Sequence, residues 1–356
     1  MPVEPPTSNT IYTGLIAKRL RLLALLALLL VPLTLLSLRI GSYELSTGTI
    51  ISSLLSGNDD ALITHLIWHM RLPRTVAALL AGSGLALSGA LMQTLLRNPL
   101  AAPSTLGVSQ GAAFGAAAAI ILLGSGQVFS SGNEGVLVTS RSMTASCAFA
   151  GSLVSIVVIL TLAGVRQLTA EAMILAGVAV GAFLAAGTML LQYFASDQQV
   201  AATLLWTFGD LGKAGWTENG LMALVLILTL SVMLFNGWSL TALQWGDETA
   251  SSLGVSTTRL RLAGMLLTCL LVSITTAFLG IIAFVGLMAP HLMRPLIGND
   301  QRFLLPASAL CGAVLLLLAD ILSRTVMAPV IIPVGIITSF AGAPLFLLIL
   351  VRRKHA

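Results

Sequence analysis

The stretch "RLPRTVAALLAGSGLALSGALMQTLLRNPLAAPSTLG", Arg71 to Gly107, decides how the whole chain is read. Two arginines, Arg71 and Arg74, precede an uncharged run from Thr75 to Leu96, and Arg97, Asn98, Pro99 and Pro103 close it. About 20 apolar residues cross the hydrocarbon layer as a helix, so the run reads as a membrane span with charge at both ends. "RNPLAAPSTLG" reads as a reversal, because its prolines break helices and prevent read-through into the next span. Pro73 suits the first turn of a helix, so Arg71 and Arg74 are expected to flank a helix start. Cations there oppose the helix dipole, and neither stability nor orientation asks for them.

Composition extends this reading to the chain. Of 356 residues 57% are hydrophobic and 9% charged. A soluble domain carries about 25% charged residues, so lipid rather than water must face most of this surface. The apolar runs are continuous and leucine-rich, which favours helices over the alternating strands of a barrel. The expected fold is all-α, a polytopic transmembrane bundle of about ten spans. They are placed at 20–39, 72–93, 104–123, 143–163, 170–194, 216–235, 260–280, 282–297, 304–324 and 334–351. Residues 195–215 are expected to hold a further short helix. Residues 1–17 read as a flexible tail and 18–356 as one transmembrane domain. Lys18, Arg19 and Arg21 precede the first run without a small-residue cleavage pattern after it, so this span is expected to be retained.

Charge sets the expected orientation. With both termini in the cytoplasm, twelve of the 18 lysines and arginines fall inside. The six left outside are Arg39, Arg71, Arg74, Arg141, Lys213 and Arg324. That majority obeys the positive-inside bias. The scattered basic residues form no aromatic-interleaved patch, which argues against nucleic acid. Glycine and small residues crowd "AGSGLALSGA" and the pairs Gly111/Gly115 and Gly177/Gly181, a pattern of closely approaching helices. The run from Ala170 to Gln192 is alternatively a pathway lining.

Several chemistries find no footing. "GDLGKAG", Gly209 to Gly215, lacks the spacing of a phosphate-binding loop. His65 and His69 are four apart, but no HExxH glutamate accompanies them, so no metal is expected. Cys147, Cys269 and Cys311 all lie in apolar runs and form no CxxC pair. No cofactor is expected. Acids within the spans are few, which disfavours a proton-driven carrier. Asp320, one helical turn from Arg324, reads as half of an i,i+4 ion pair. The loop "LQWGDETASSLGVSTTRLR" is the longest polar stretch on the inner side. Asp247 and Glu248 start a short helix there and Gly254 stops it, with the docking segment expected at about 243–258.

These blocks together resemble the FecCD family of ABC-importer permeases for iron–siderophore, haem and cobalamin. The match runs through "RLPRTVAALLAGSGLALSGALMQTLLRNPLAAPSTLGVSQGA", "GDETASSLGV", "FVGLMAPHLMR" and "LLLADILSRTVMAPVIIPVGIITSFAGAPLFLLIL". The resemblance implies an inverted pair of repeats, spans two to five and seven to ten, and a pathway between two permease subunits, identical or homologous. It implies that Arg71, Arg74 and Arg324, the last oriented by Asp320, meet acidic residues of a periplasmic binding protein. It implies that Asp247, Glu248, Ala250, Leu253 and Gly254 couple to a separate ATP-binding subunit in the cytoplasm. Thr169, Ala170 and Glu171 would sit at the cytoplasmic gate. The expected cargo is an iron–siderophore complex, and the expected location is the bacterial inner membrane. An ion-coupled secondary transporter and a non-transporting scaffold are the competing readings; the scarce buried acids and the docking loop weigh against them.

Overall fold

The computed structural model describes residues 8–41, 43, 45–55, 60–125, 140–166 and 170–353. The order is α1 (Ser8–Arg39), α2 (Thr47–Leu55), α3 (Ala61–His65), a π-helical turn (Leu66–Arg71) and α4 (Leu72–Leu95). There follow a 3-10 turn (Pro103–Leu106), α5 (Val108–Ile121), α6 (Arg141–Arg166), α7 (Ala170–Tyr193) and α8 (Asp197–Thr207). A 3-10 turn (Leu211–Lys213) leads to α9 (Trp216–Phe235), α10 (Gly237–Leu243) and α11 (Asp247–Ser252). The chain ends with α12 (Thr257–Leu279), α13 (Val285–Ile297), α14 (Gln301–Thr325) and α15 (Val334–Arg353). Among the described residues, seven helical segments are long and apolar enough to cross a membrane. The bundle is all-α and polytopic, and α1, α4–α7, α9 and α12–α15 coincide with the ten expected spans.

Four features differ from the sequence expectation. The first helix starts at Ser8, ahead of the expected end of the tail; Pro2, Pro5 and Pro6 all lie before it, and Pro32 sits inside it without ending it. Pro73 lies in the first turn of α4, as expected, but the helix does not begin afresh there. Residues Ala61–Leu95 run on as one 35-residue apolar segment. The π turn just upstream makes this possible: Leu72 N–H bonds to Ile67 O, five residues back. Such a turn loosens the ladder where a proline would otherwise collide with the carbonyl four residues before it. The third difference is α2 and α3: Ile50 of α2 packs with Ile67 of the π turn, Leu38 and Leu45 in a small separate core, and Ile63 of α3 lies against it. Asp60 caps α3 by accepting from Leu62 N–H at 2.9 Å. The fourth is α10, a short helix that fills the stretch between the expected span end at 235 and the docking segment expected from about 243.

The core is built around α4, whose residues from Ala81 to Leu95 are nearly all buried. Glycine makes this possible. A Cβ on Gly82 would overlap the carbonyl of Gly312 in α14, and one on Gly89 would overlap that of Gly286 in α13. Backbones thus touch with no side chain between them, as "AGSGLALSGA" implied. The first helix of one unit packs on the third helix of the other: α4 on α14, and α12 on α6. This reciprocal exchange relates α4–α7 to α12–α15 as two repeats. The second helix of each is short, 14 residues in α5 and 13 in α13. Each also starts directly after a left-handed residue, Gly107 at φ 74° and Phe284 at φ 66°.

The broken backbone before α13 is satisfied inside the protein, as non-helical segments at membrane depth must be. Ile281 N–H bonds to Thr207 O at 3.2 Å, and Asp210 N–H to Leu279 O at 2.8 Å. In contrast, α1 and α7 bury little of their surface. The exposed face of α7 carries Leu175, Phe183, Met189 and Tyr193.

Candidate functional site

Polar residues gather at the two opposite ends of the bundle. At the end where α1 finishes, three arginines and two aspartates interlock. The last turn of any helix leaves carbonyls without partners. Here Arg71 and Arg324 supply them. Arg71 Nη1 donates to Leu38 O at 2.7 Å and Arg39 O at 3.0 Å, and its Nη2 donates to Tyr43 O. Gly41 leaves room for this guanidinium, since a Cβ there would sit 2.7 Å from Nη2. Arg324 Nη1 donates to Ser37 O at 3.0 Å and Ile40 O at 2.8 Å, and Nη2 to Ser37 Oγ at 2.7 Å. The cations therefore lie at the negative end of the α1 dipole, where they stabilise it. This overturns the expectation that nothing structural calls for Arg71. The sequence showed a helix start beside it; the fold brings a helix end to it from 33 residues away.

Asp320 binds the group together. It is fully buried, with Arg74 Nε at 2.8 Å from Oδ1 and Arg324 Nη2 at 2.8 Å from Oδ2. The i,i+4 pair read from the sequence is present. Arg74 also reaches Asp210 at 3.8 Å, a residue contributed by the segment before α9. The side chains of Arg74 and Arg324 are 12% and 7% exposed, and Arg71 is 7% exposed. The three guanidiniums thus show narrow edges at this end, and their charge exceeds that of the two carboxylates. Nearby, Lys213 Nζ donates to Trp206 O and Phe208 O, both at 3.2 Å. Burial, aided by Arg141, pulls this amine below the ordinary lysine range against the opposing effect of Asp210.

The opposite end holds α11. Gly246, at φ 117°, turns the chain into it, and Gly254, at φ 81°, turns the chain out. Only glycine adopts such angles without strain. Asp247 starts the helix and is gripped by Arg261 through two bonds of 2.7 and 2.8 Å, with Arg97 at 3.8 Å. Arg261 Nε also donates to Leu95 O at 2.8 Å, tying α11 to the end of α4. Ala250 is buried, whereas Glu248 is exposed. Trp245 is 78% and Leu253 68% exposed, so a fixed base presents a mixed apolar and acidic knob.

A second clamp adjoins it. Asp300 accepts from Arg302 Nη2 at 2.7 Å and Arg19 Nη1 at 3.1 Å, and the Arg302 guanidinium lies 3.8 Å from the Trp238 ring centroid. Burial alone would raise the Asp300 pKa, but bonds to Arg302 and the charges of Arg302 and Arg19 outweigh it and hold it below the usual range. Gln244 Nε2 donates to Asn299 O at 3.0 Å, joining this clamp to the α10–α11 segment. The sequence reading missed Asp210, Asp300 and Trp238, because Arg74, Arg19 and Arg302 respectively meet them across long separations in sequence. Of the expected gate, Thr169 lies outside the described residues, Ala170 opens α7, and Glu171 is exposed in its first turn. No group of three or more His, Cys, Asp or Glu able to hold a metal occurs among the described residues. His65 and His69 stack with ring centroids 4.9 Å apart.

A bundle of paired repeats, with a charged knot at one end and an exposed short helix at the other, is matched by a family model. The FecCD transport family model covers residues 27–352. This chain belongs to the FecCD transport family. It is 53% identical over 317 residues to a Methanocaldococcus jannaschii protein named as an ABC transporter permease, MJ0087, covering 89% of this chain and 90% of that one. It is 39% identical over 334 residues to the hemin transport system permease protein HmuU of Yersinia pestis, covering 94% and 96%. A solved chain of a metal-chelate type ABC transporter, in an inward-facing conformation, superposes with a TM-score of 0.80 at 31% identity, covering 93% of this chain and 99% of that chain. The FecCD chain is accordingly a multi-span permease subunit of an ABC importer.

Proposed function

We propose that this FecCD permease carries a ferric siderophore from the periplasm to the cytoplasm across the bacterial inner membrane, with both termini cytoplasmic. A separate ATP-binding subunit docks on α11 and supplies the energy. The observation that carries this reading is the knob made by Trp245, Glu248 and Leu253. It is exposed, while Asp247 and Ala250 anchor it beneath. A partner that pushes on such a knob displaces the ends of α4 and α12 through Arg261. Gly246 and Gly254 turn the chain into and out of this segment, so the contact surface centres on Trp245–Gly254.

The periplasmic binding protein docks at the end carrying Arg71, Arg74 and Arg324. Asp320 holds Arg74 and Arg324 in fixed directions. The net positive field of the cluster steers an acidic partner into register more than it contributes affinity. A second permease subunit, a copy or a homologous chain, covers the exposed apolar face of α7, and the cargo passes between the two. Thr169, Ala170 and Glu171 lie at the cytoplasmic mouth of that path. Haem is the second reading of the cargo, supported by the hemin system in which HmuU is named. Cobalamin is the third cargo that the family resemblance implies.

The test is uptake in liposomes holding the permease and its ATPase, with binding protein supplied outside. Ferric siderophore uptake that needs ATP and binding protein and stops with vanadate is expected. Uptake that proceeds without either component would refute the importer reading. Haem outcompeting the ferric siderophore would transfer the cargo assignment to haem.

A further inference from the structure

Arg39 ends α1 with an exposed side chain, and its guanidinium makes no ion pair or hydrogen bond among the described residues. It stands at the end of the bundle where the charge count leaves few cations, so topology does not account for it. The residue lines a half-open cleft of about 680 Å³ between the ends of α1 and α14. That volume is within the range of small-molecule sites. Leu36, Ile40, Pro329 and Ile331 give the cleft apolar walls, and Arg324 and Thr325 complete it. Among the described residues, no carboxylate lines it. The nearby Asp320 is buried and committed to Arg74 and Arg324.

The walls do not stop at the cleft. One turn back along α14 from Thr325 lies Leu322, and one further turn back lies Leu318, both exposed. On α1, Leu36 and Leu29 are exposed in the same way. In a membrane protein such faces meet acyl chains. The cleft is thus open to the apolar phase along its length, with cationic groups at its polar end. A soluble anion would gain from the arginines only. A molecule with an anionic head and a hydrocarbon tail gains from both.

We infer that the cleft between the ends of α1 and α14 binds a membrane phospholipid, with its phosphate on Arg39 and an acyl chain along Leu318 and Leu322. Arg324 contributes its field rather than a bond, since its nitrogens already serve Ser37, Ile40 and Asp320. The inference stands apart from the transport reading and needs neither the ATPase nor the binding protein.

The experiment is native mass spectrometry of the full-length permease in detergent, titrated with phosphatidylglycerol. Wild type is expected to retain one tightly held lipid. Arg39→Ala should weaken that retention about five-fold, the effect of one arginine near a phospholipid headgroup. Thr325→Trp keeps both charges but fills the cleft from an exposed position, and should lose the lipid as well. Thermal unfolding of each variant checks that it is folded, and the Trp variant serves if Arg39→Ala is not. Retention equal to wild type in both folded variants would overturn the site. So would displacement of the lipid by millimolar inorganic phosphate, which would assign the cleft to a soluble anion.

Discussion

Replacing Asp320 by asparagine isolates the role of the buried knot. Asparagine has nearly the shape of aspartate, so packing in α14 is preserved while the charge is removed. Two guanidiniums at 2.8 Å then lose their shared counter-ion in a site with no exposure. Removing one partner of a buried pair costs about 3–5 kcal/mol, because the charge left behind stays out of water. The asparagine oxygen still accepts one bond, which returns about 1 kcal/mol. The expected loss is therefore about 2–4 kcal/mol. The assay is thermal or SDS-induced unfolding of the purified protein, run as a double-mutant cycle with Arg324→Gln. Residues in one ion-pair network show coupling of about 0.5–3 kcal/mol. Arg141→Gln is the control: it is exposed at the start of α6 and should stay within about 0.5 kcal/mol of wild type. Asp320→Asn unfolding within about 0.5 kcal/mol of wild type, with no coupling to Arg324, would refute the reasoning.

Gly89→Leu should abolish accumulation of folded protein, because its side chain must displace the backbone of Gly286; recovery of a monodisperse protein by size-exclusion chromatography would contradict this. Leu253→Arg should reduce co-purification of the ATPase subunit at least about ten-fold while leaving unfolding within about 0.5 kcal/mol of wild type, since the side chain is exposed. The Asp300 clamp gives a pH dependence. Its folded pKa lies below the ordinary 3.8, so the unfolded chain binds more protons in that window. Stability from the clamp is present above pH 3.8 and is lost as pH falls through the folded value. Asp300→Asn should flatten that acid limb in unfolding measured against pH.

What the sequence made legible was local. Hydrophobic run length located all ten principal helices, and the pairing of Asp320 with Arg324 followed from their spacing alone. The limits of α11 followed from two acids and a glycine. What it concealed was long-range. Arg71 looked like a cation misplaced at a helix start because its true partners, Leu38 O and Arg39 O, belong to another helix. Nothing near Arg74 in sequence points to Asp210, which arrives from the 195–215 segment, where only a short helix was legible. The π turn was hidden for a different reason. Proline usually signals a boundary, and only the five-residue bond from Leu72 to Ile67 shows that the helix continues past it. The Asp300 clamp draws on Arg19 from 281 residues away.

The placement of these contacts bears on how an importer moves. Helix α14 carries Asp300 and Arg302 at one end and Asp320 and Arg324 at the other, a span of about 30 Å at the helical rise. It is locked to α4 where Gly82 meets Gly312, so neither helix slides past the other without breaking backbone contact. Both ends of the bundle therefore sit on one stiff pair. Helix α7 differs. It rests mainly on α5, α6 and the 3-10 turn at Pro103–Leu106, and most of its apolar surface is exposed. Gly177 and Gly181 meet the backbone around Thr105 and Gly107 there, a narrow contact that supports rotation better than a broad one. Push on α11 is felt first by the ends of α4 and α12 through Arg261, and then by everything rigidly joined to them. Relative movement is then easiest for helices that bury little of their surface, and α7 is one of them.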